Sequence, residues 1–295
     1  MTRALVLGSG GLLGVGWESG LAVGLADGGV DVGAADAIFG TSAGSFVGAQ
    51  LALGVDLTDY VAQLSGLRAA VLAESAGRPM AERVEALGTA IATAALSGAP
   101  PEEARRSLGR LALESKVASE EEFLTLFALF EGRQWPPGLH CTAVDTTTGE
   151  LTVWQEGSGA DLLHAVASSC ASACVYPPVT IGGRRYMDGG LYSPLNADLA
   201  TGHERVVVVS AIALSLPPGM SNPVAGSLMS ALGGELAALR SSGCEVEVIE
   251  PNPHFLEISG WGTALMDVDK AAEAYEAGAR QGAEESRRIG ALWER

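Results

Sequence analysis

Apolar residues along the chain fall into two kinds of pattern. Short unbroken runs, in "RALVLGSGG" from Arg3 and in "DAIFG" at 36–40, end in glycine, as buried parallel strands do. Between them Trp17, Leu21 and Leu25 recur at helical spacing within "GWESGLAVGLADGG" and stop at the pair Gly28–Gly29. The stretch "AGSFVGAQLALG" (43–54) continues as a helix rich in Ala and Leu. The order strand, glycine loop, helix, strand, tight turn, helix predicts a parallel sheet covered by helices on both faces.

Residues 57–131 differ in character: they are Ala-rich, charges alternate with apolar positions, and prolines interrupt them near 79 and 100. This predicts three or four helices forming an insertion or cap over the sheet. Strand patterns return at "LHCTAVD" (139–145) and "ELTVWQ" (150–155), joined by the hairpin-like "TTTG". The helix "DLLHAVASS" follows, then the Pro- and Gly-rich "YPPVTIGGRRYMDGG", the plain buried strand "RVVVVSAIAL", the strand "CEVEVIEP" and an amphipathic helix from Met266. Neither an internal repeat nor a linker divides the 295 residues, so the expectation is one three-layer α/β domain spanning 1–295.

Composition narrows the partners. With 47% hydrophobic residues and a mean hydropathy of +0.25, there is ample material for a large core. The formal net charge of −17 excludes nucleic acid as a partner, because neutralising phosphates takes clustered Lys and Arg. It also removes electrostatic attraction to an anionic bilayer, so a lipid would be recognised by its apolar chains during transient contact with a membrane surface. No run of 18 apolar residues occurs, and Met1 leads straight into a strand without the apolar stretch of a secretory signal. Cys141, Cys170, Cys174 and Cys244 show neither metal nor disulfide spacing and read as buried small hydrophobes in a reduced, cytoplasmic protein.

Two glycine-rich turns carry candidate chemistry. "FGTSAGS" (39–45) is a G-x-S-x-G pattern placed where a strand should turn into a helix. Such a turn exposes the Ser42 hydroxyl at the top of the sheet and aims the Ala43 N–H at a developing oxyanion, while Gly40 and Gly44 permit the tight path. In the bland alternative Ser42 merely caps a helix. The first loop, "GSGGLLGVG", offers the N–H groups of Gly10, Gly11 and Leu12 to negative charge. Its Gly10, Gly14 and Gly16 also have a dinucleotide-type spacing, though no Lys lies near it. Of the four histidines, His140, His164, His203 and His254, only His254 comes late enough for the order Ser, acid, His.

Taken together, the first glycine loop, "GTSAGS" some thirty residues later and "DGG" in mid-chain resemble the patatin-like acyl hydrolases. "CTAVDTTTGELTVWQ" and the segment from "AVASSCASACVYPP" through "MDGGLYSPLNADLA" are similar to that family too. The resemblance implies a three-layer α/β/α fold with a mostly parallel central sheet and a helical insertion. It further implies a serine acyl hydrolase acting on lipid or other carboxylic esters through a Ser42–Asp188 dyad, with Gly189 and Gly190 giving the backbone close passage. Gly10, Gly11, Leu12 and Ala43 would form the oxyanion hole, and no metal or organic cofactor would be needed. The chain departs from the family pattern at Leu13, where a cation is usual, at Ala173 in place of a proline, and at Cys174 in place of a glycine. Leu13 and the absence of basic residues for a headgroup leave a catalytically degenerate lipid-binding or regulatory protein as one alternative, and the first glycine loop by itself leaves a nucleotide-binding oxidoreductase as another.

Overall fold

The computed structural model describes residues 1–59, 79–215 and 223–294. The part of the 57–131 helical expectation that falls on 60–78 lies outside the described residues. Among the described residues eight strands make one mixed sheet. At its centre β1 (Arg3–Leu7) pairs in parallel with β2 (Ala37–Gly40) on one side and with β7 (Arg205–Val209) on the other. β3 (Leu139–Asp145) continues the parallel set beyond β2, and β8 (Glu245–Ile249) beyond β7. β4 (Leu151–Trp154), β5 (Val179–Ile181) and β6 (Arg184–Asp188) are antiparallel additions.

The register around β3 decides where the site falls. Cys141 pairs with Gly40 of β2 and with Trp154 of β4, while Ala143 pairs with Thr152 of β4 and with Asp188 of β6. A strand has two edges, so β4 takes one and β2 and β6 share the other, end to end. β2 runs parallel to β3 and β6 antiparallel, so their C-terminal ends meet head to head opposite Thr142. Ser42 follows one of those ends and Asp188 is the other.

The central strands β1, β2 and β7 are buried on both faces. On β1, Leu5 and Leu7 belong to the core under α1 (Gly11–Asp27), α2 (Ala43–Ala52), α6 (Leu162–Ser169) and α9 (Ala271–Trp293). Ala4 and Val6 face the opposite core, which Leu232, Leu236 and Leu239 of α7 (Pro223–Ser241) cover. The same alternation puts Val207 and Val209 on the first face and Val206 and Val208 on the second, giving three layers, α/β/α.

Within 79–131 three helices are described: α3 (Met80–Leu96), α4 (Pro101–Glu114) and the short α5 (Glu120–Leu124). α4 sends Leu108 and Ala112 against Val144, Ala173 and Met187, whereas Phe123 of α5 joins the first-face core. The remaining helix, α8 (Pro253–Ile258), places Phe255 on Trp17 with ring centroids 5.1 Å apart.

Two elements differ from the sequence pattern. α1 begins at Gly11, so most of the expected glycine loop is helix. Its glycines let α9 approach: a Cβ on Gly20 or Gly24 would run into the α9 backbone at Tyr275 and Ala279, and one on Gly278 or Gly282 into α1 at Trp17 and Leu21. α7 was not announced at all, since Gly226, Gly233 and Gly234 interrupt its apolar periodicity.

Candidate active site

β2 ends at Gly40 because the chain there must pass the next helix: a Cβ on Gly40 would lie 2.5 Å from Ser45 Cα, and one on Gly44 would strike the Leu7 carbonyl. Between them Ser42 adopts φ 55°, ψ −116°, a left-handed conformation costly for a residue with a side chain. Gly44 N–H donates to Gly8 O (3.0 Å), binding the turn to the end of β1, and Ser42 N–H donates to Ser169 Oγ (2.9 Å) on α6. Thr41 Oγ1 accepts from Thr142 Oγ1 (2.9 Å) and from Asn196 Nδ2 (3.0 Å). The strained turn is thus held from β1, β3, α6 and the segment after β6.

Ser42 occupies the N-cap position of α2 but makes no capping bond with its side chain. Its Oγ donates instead to Asp188 Oδ2 at 2.9 Å. Nor does it face open solvent, as the tight-turn expectation held: only 7% of the residue is exposed, and it opens into an apolar cavity. Phe46, Phe123, Leu126, Phe127, Tyr176 and Met266 supply the apolar wall of that cavity.

Asp188 is 5% exposed, and burial raises its pKa by penalising the charged form. Hydrogen bonds from Ser172 Oγ to Oδ2 (2.6 Å), Gly190 N–H to Oδ1 (2.7 Å) and Ser42 oppose that rise. The result is a carboxylate that two serine hydroxyls, Ser42 and Ser172, reach on the same oxygen, with a proton affinity above that of an ordinary aspartate. The two glycines after it do not give clearance to the Ser42 turn, contrary to expectation. Gly189 passes against Thr142 of β3, where a Cβ would meet Oγ1, and Gly190 passes against Ser9, whose Oγ would lie 2.5 Å from a Cβ there.

Two helix N-termini converge on the serine. Gly11 and Leu12 open α1, Ala43 opens α2, and all three line the cavity beside Ser42. The first N–H groups of a helix have no partner four residues back, so these amides are donors without an intrahelical acceptor. Gly10 is the N-cap of α1; its carbonyl accepts from Gly14 N–H (2.8 Å), and it is not part of the cavity wall. Gly14 lies inside the helix, where a Cβ would touch Ala43 and Ala211, so the dinucleotide-like spacing here serves packing.

None of the four histidines hydrogen-bonds Ser42 or Asp188. His140 Nδ1 pairs with Gly138 O, His164 with Asp161 and His203 with Ala200 O, while His254 is exposed on α8. Cys170 is a correction to the all-buried expectation: it is partly exposed, lines the cavity and donates through Sγ to Ser42 O at 3.2 Å. Burial and the nearby Asp188 carboxylate hold its thiol well above the usual range, so it stays protonated. At the departures, Leu13 is fully buried with its N–H on Leu265 O (2.9 Å), and Cys174 keeps a glycine-like φ of 65°.

Three neighbours were not singled out from the sequence: Ser169, Ser172 and Glu18. The serines lie in "ASSCAS", where no spacing distinguishes them. Glu18, three residues beyond the cavity-lining Val15, is 1% exposed with neither carboxyl oxygen hydrogen-bonded, and burial lifts its pKa well above the ordinary value. Among the described residues there is no cluster of three or more metal-binding side chains, and no helix is long and apolar enough to cross a membrane.

A strained serine between a parallel strand and a helix, hydrogen-bonded to a buried aspartate, is an arrangement chemically able to carry nucleophilic ester cleavage. The family description patatin-like phospholipase matches residues 5–201, and the chain belongs to that family, one of lipid acyl hydrolases. No curated protein matches. Among solved structures the chain is similar to VipD from Legionella pneumophila, at 15% identity and a TM-score of 0.48, covering 97% of this chain and 67% of that one. It is also similar to the type III effector protein ExoU, at 15% identity and a TM-score of 0.37, where 96% of this chain matches 53% of that one.

Proposed function

We propose that the protein is a serine acyl hydrolase that cleaves carboxylic esters of lipids, of phospholipase A or lysophospholipase type, through a Ser42–Asp188 dyad. The observation that carries this reading is the 2.9 Å hydrogen bond from Ser42 Oγ to Asp188 Oδ2 at the wall of an apolar cavity. Ser42 Oγ attacks the ester carbonyl as its proton passes to Asp188, whose raised proton affinity suits it as a base. The N–H groups of Gly11, Leu12 and Ala43, with Gly10 behind them, take up the charge of the tetrahedral oxyanion. Asp188 returns the proton to the departing alkoxide, and a water molecule then hydrolyses the acyl-enzyme by the same steps in reverse roles. The acyl chain lies among Phe46, Phe123, Phe127 and Tyr176.

Contact with a lipid surface would be transient and driven by apolar groups, given the acidic charge of the chain. The four free cysteines suit a reduced, cytoplasmic setting. The test is labelling with a fluorophosphonate probe alongside hydrolysis of a short ester. One label per chain, found on Ser42 and lost together with activity in Ser42→Ala, is the expected result. An unlabelled but folded protein without esterase activity would instead mark a degenerate, lipid-binding relative.

A further inference from the structure

The cavity in front of Ser42 holds about 60 Å³, room for only the first few atoms of an acyl chain. Beside it, between α3 and residues 262–268, runs a groove of about 760 Å³ walled by Met80, Val84, Gly88, Ala264 and Val268. Met266 borders both spaces. Its Sδ lies 2.9 Å from where a Cβ on Gly11 would be, and it packs with Leu12, Leu126, Met80 and Val268. The backbone around it is pinned: Leu265 O accepts from Leu13 N–H, and Asp267 N–H donates to Ala264 O (2.9 Å). The side chain itself is unbranched, with three rotatable bonds, and can change rotamer without moving that backbone.

We infer that Met266 is the partition between a short acyl site at Ser42 and this groove, and that it sets the acyl chain length the enzyme accepts. The inference rests on the proposed role of Ser42. A short acyl group fits wholly in front of Met266. A longer one reaches the groove only when the thioether swings aside and gives up its packing on Leu12 and Val268. Glu85 and Asp267 also line the groove, so an anionic headgroup is disfavoured there and the apolar tail is the part that enters.

The experiment is the ratio of kcat/KM for C12 over C4 p-nitrophenyl esters, below their micelle concentrations, in wild type, Met266→Ala, Met266→Leu and Met266→Phe. Rates are divided by fluorophosphonate-titrated sites, so partial unfolding of a variant lowers the titre and leaves the ratio intact. Met266→Ala should raise the ratio at least about tenfold, since each methylene newly taken from water is worth about fourfold. Met266→Phe should lower it, and the volume-conserving Met266→Leu should leave it near wild type. Ratios within about twofold of wild type in Met266→Ala and Met266→Phe, with Ser42→Ala inactive, overturn the partition alone. Full hydrolysis by Ser42→Ala overturns the reading of Ser42 and the partition with it.

Discussion

Ser172 Oγ stands 2.6 Å from Asp188 Oδ2, closer than Ser42 Oγ, which shares the same oxygen at 2.9 Å. The aspartate therefore has a permanent donor on the atom that must accept the serine proton, and that donor stabilises its charged form. Ser172→Ala removes it. The pKa of Asp188, already raised by burial, rises further, so the acid limb of kcat/KM should move to higher pH while the rate on the plateau stays within about tenfold of wild type. The pH profile of a short-ester assay measures this. A limb that stays put or moves to lower pH would show that Asp188 is not the group titrating.

The proposed dyad makes Asp188 the base and gives no histidine a part. Asp188→Asn keeps the shape but cannot take up the proton, and it should cost at least ~100-fold in kcat. Each of His140→Gln, His164→Gln, His203→Gln and His254→Gln should retain activity within about tenfold. These five variants are compared by single-turnover kinetics on one ester. A dead His254→Gln beside an active Asp188→Asn would replace the dyad with a triad.

Gly40 and Gly44 were legible in the sequence because a turn too tight for a Cβ is written in the local chain, and Ser42 stood out between them; Asp188 came into view only through the family resemblance, because its bond to Ser42 spans 146 positions. The layered fold was legible in the local chain too, since runs such as Leu5–Leu7 and Val206–Val209 show burial on both faces directly. Ser172, Ser169, Glu18 and Met266 were not, because their roles arise from what other segments bring to them. α7 was hidden by three glycines on its exposed side, and the start of α1 at Gly11 by glycines that read as a loop, among them Gly14, which packs against Ala43 of α2. A glycine that allows a turn and one that allows helix contact look alike until the partner is known.

That distinction has a measurable consequence, because the same substitution should have opposite signs at two helical sites. Gly278→Ala drives a methyl group into the Trp17 carbonyl of α1, and separating two helices held backbone to backbone should cost about 2 kcal/mol or more, outweighing the gain in helix propensity. Gly234→Ala, where nothing lies within 4 Å, should stabilise by up to ~1 kcal/mol. Urea denaturation of both variants decides it. Equal shifts of one sign would mean that α1 and α9 do not pack as described.

Glu18 offers a test of a buried carboxyl that the proposed chemistry does not use. It sits in α1 with no hydrogen-bond partner, and burial raises its folded pKa well above 4.5. In the unfolded chain the group ionises at the ordinary value, whereas in the folded protein it holds its proton to higher pH. The unfolded state therefore gains a favourable ionisation, as pH rises above the ordinary value, that the folded state does not match. Glu18 costs stability progressively from there until its raised folded pKa is passed. Gln cannot ionise, has nearly the same shape, and leaves the same kind of neutral polar group buried. Glu18→Gln should thus be about as stable as wild type near pH 4.5 and more stable at pH 8, the difference widening with pH until the raised folded pKa of Glu18 is passed. Denaturant unfolding of both proteins across that range gives the difference directly, and contributions from every other titrating group cancel in it. A variant less stable than wild type at pH 8 would show instead that Glu18 is charged and paired in the folded protein, since breaking a buried pair costs about 3–5 kcal/mol.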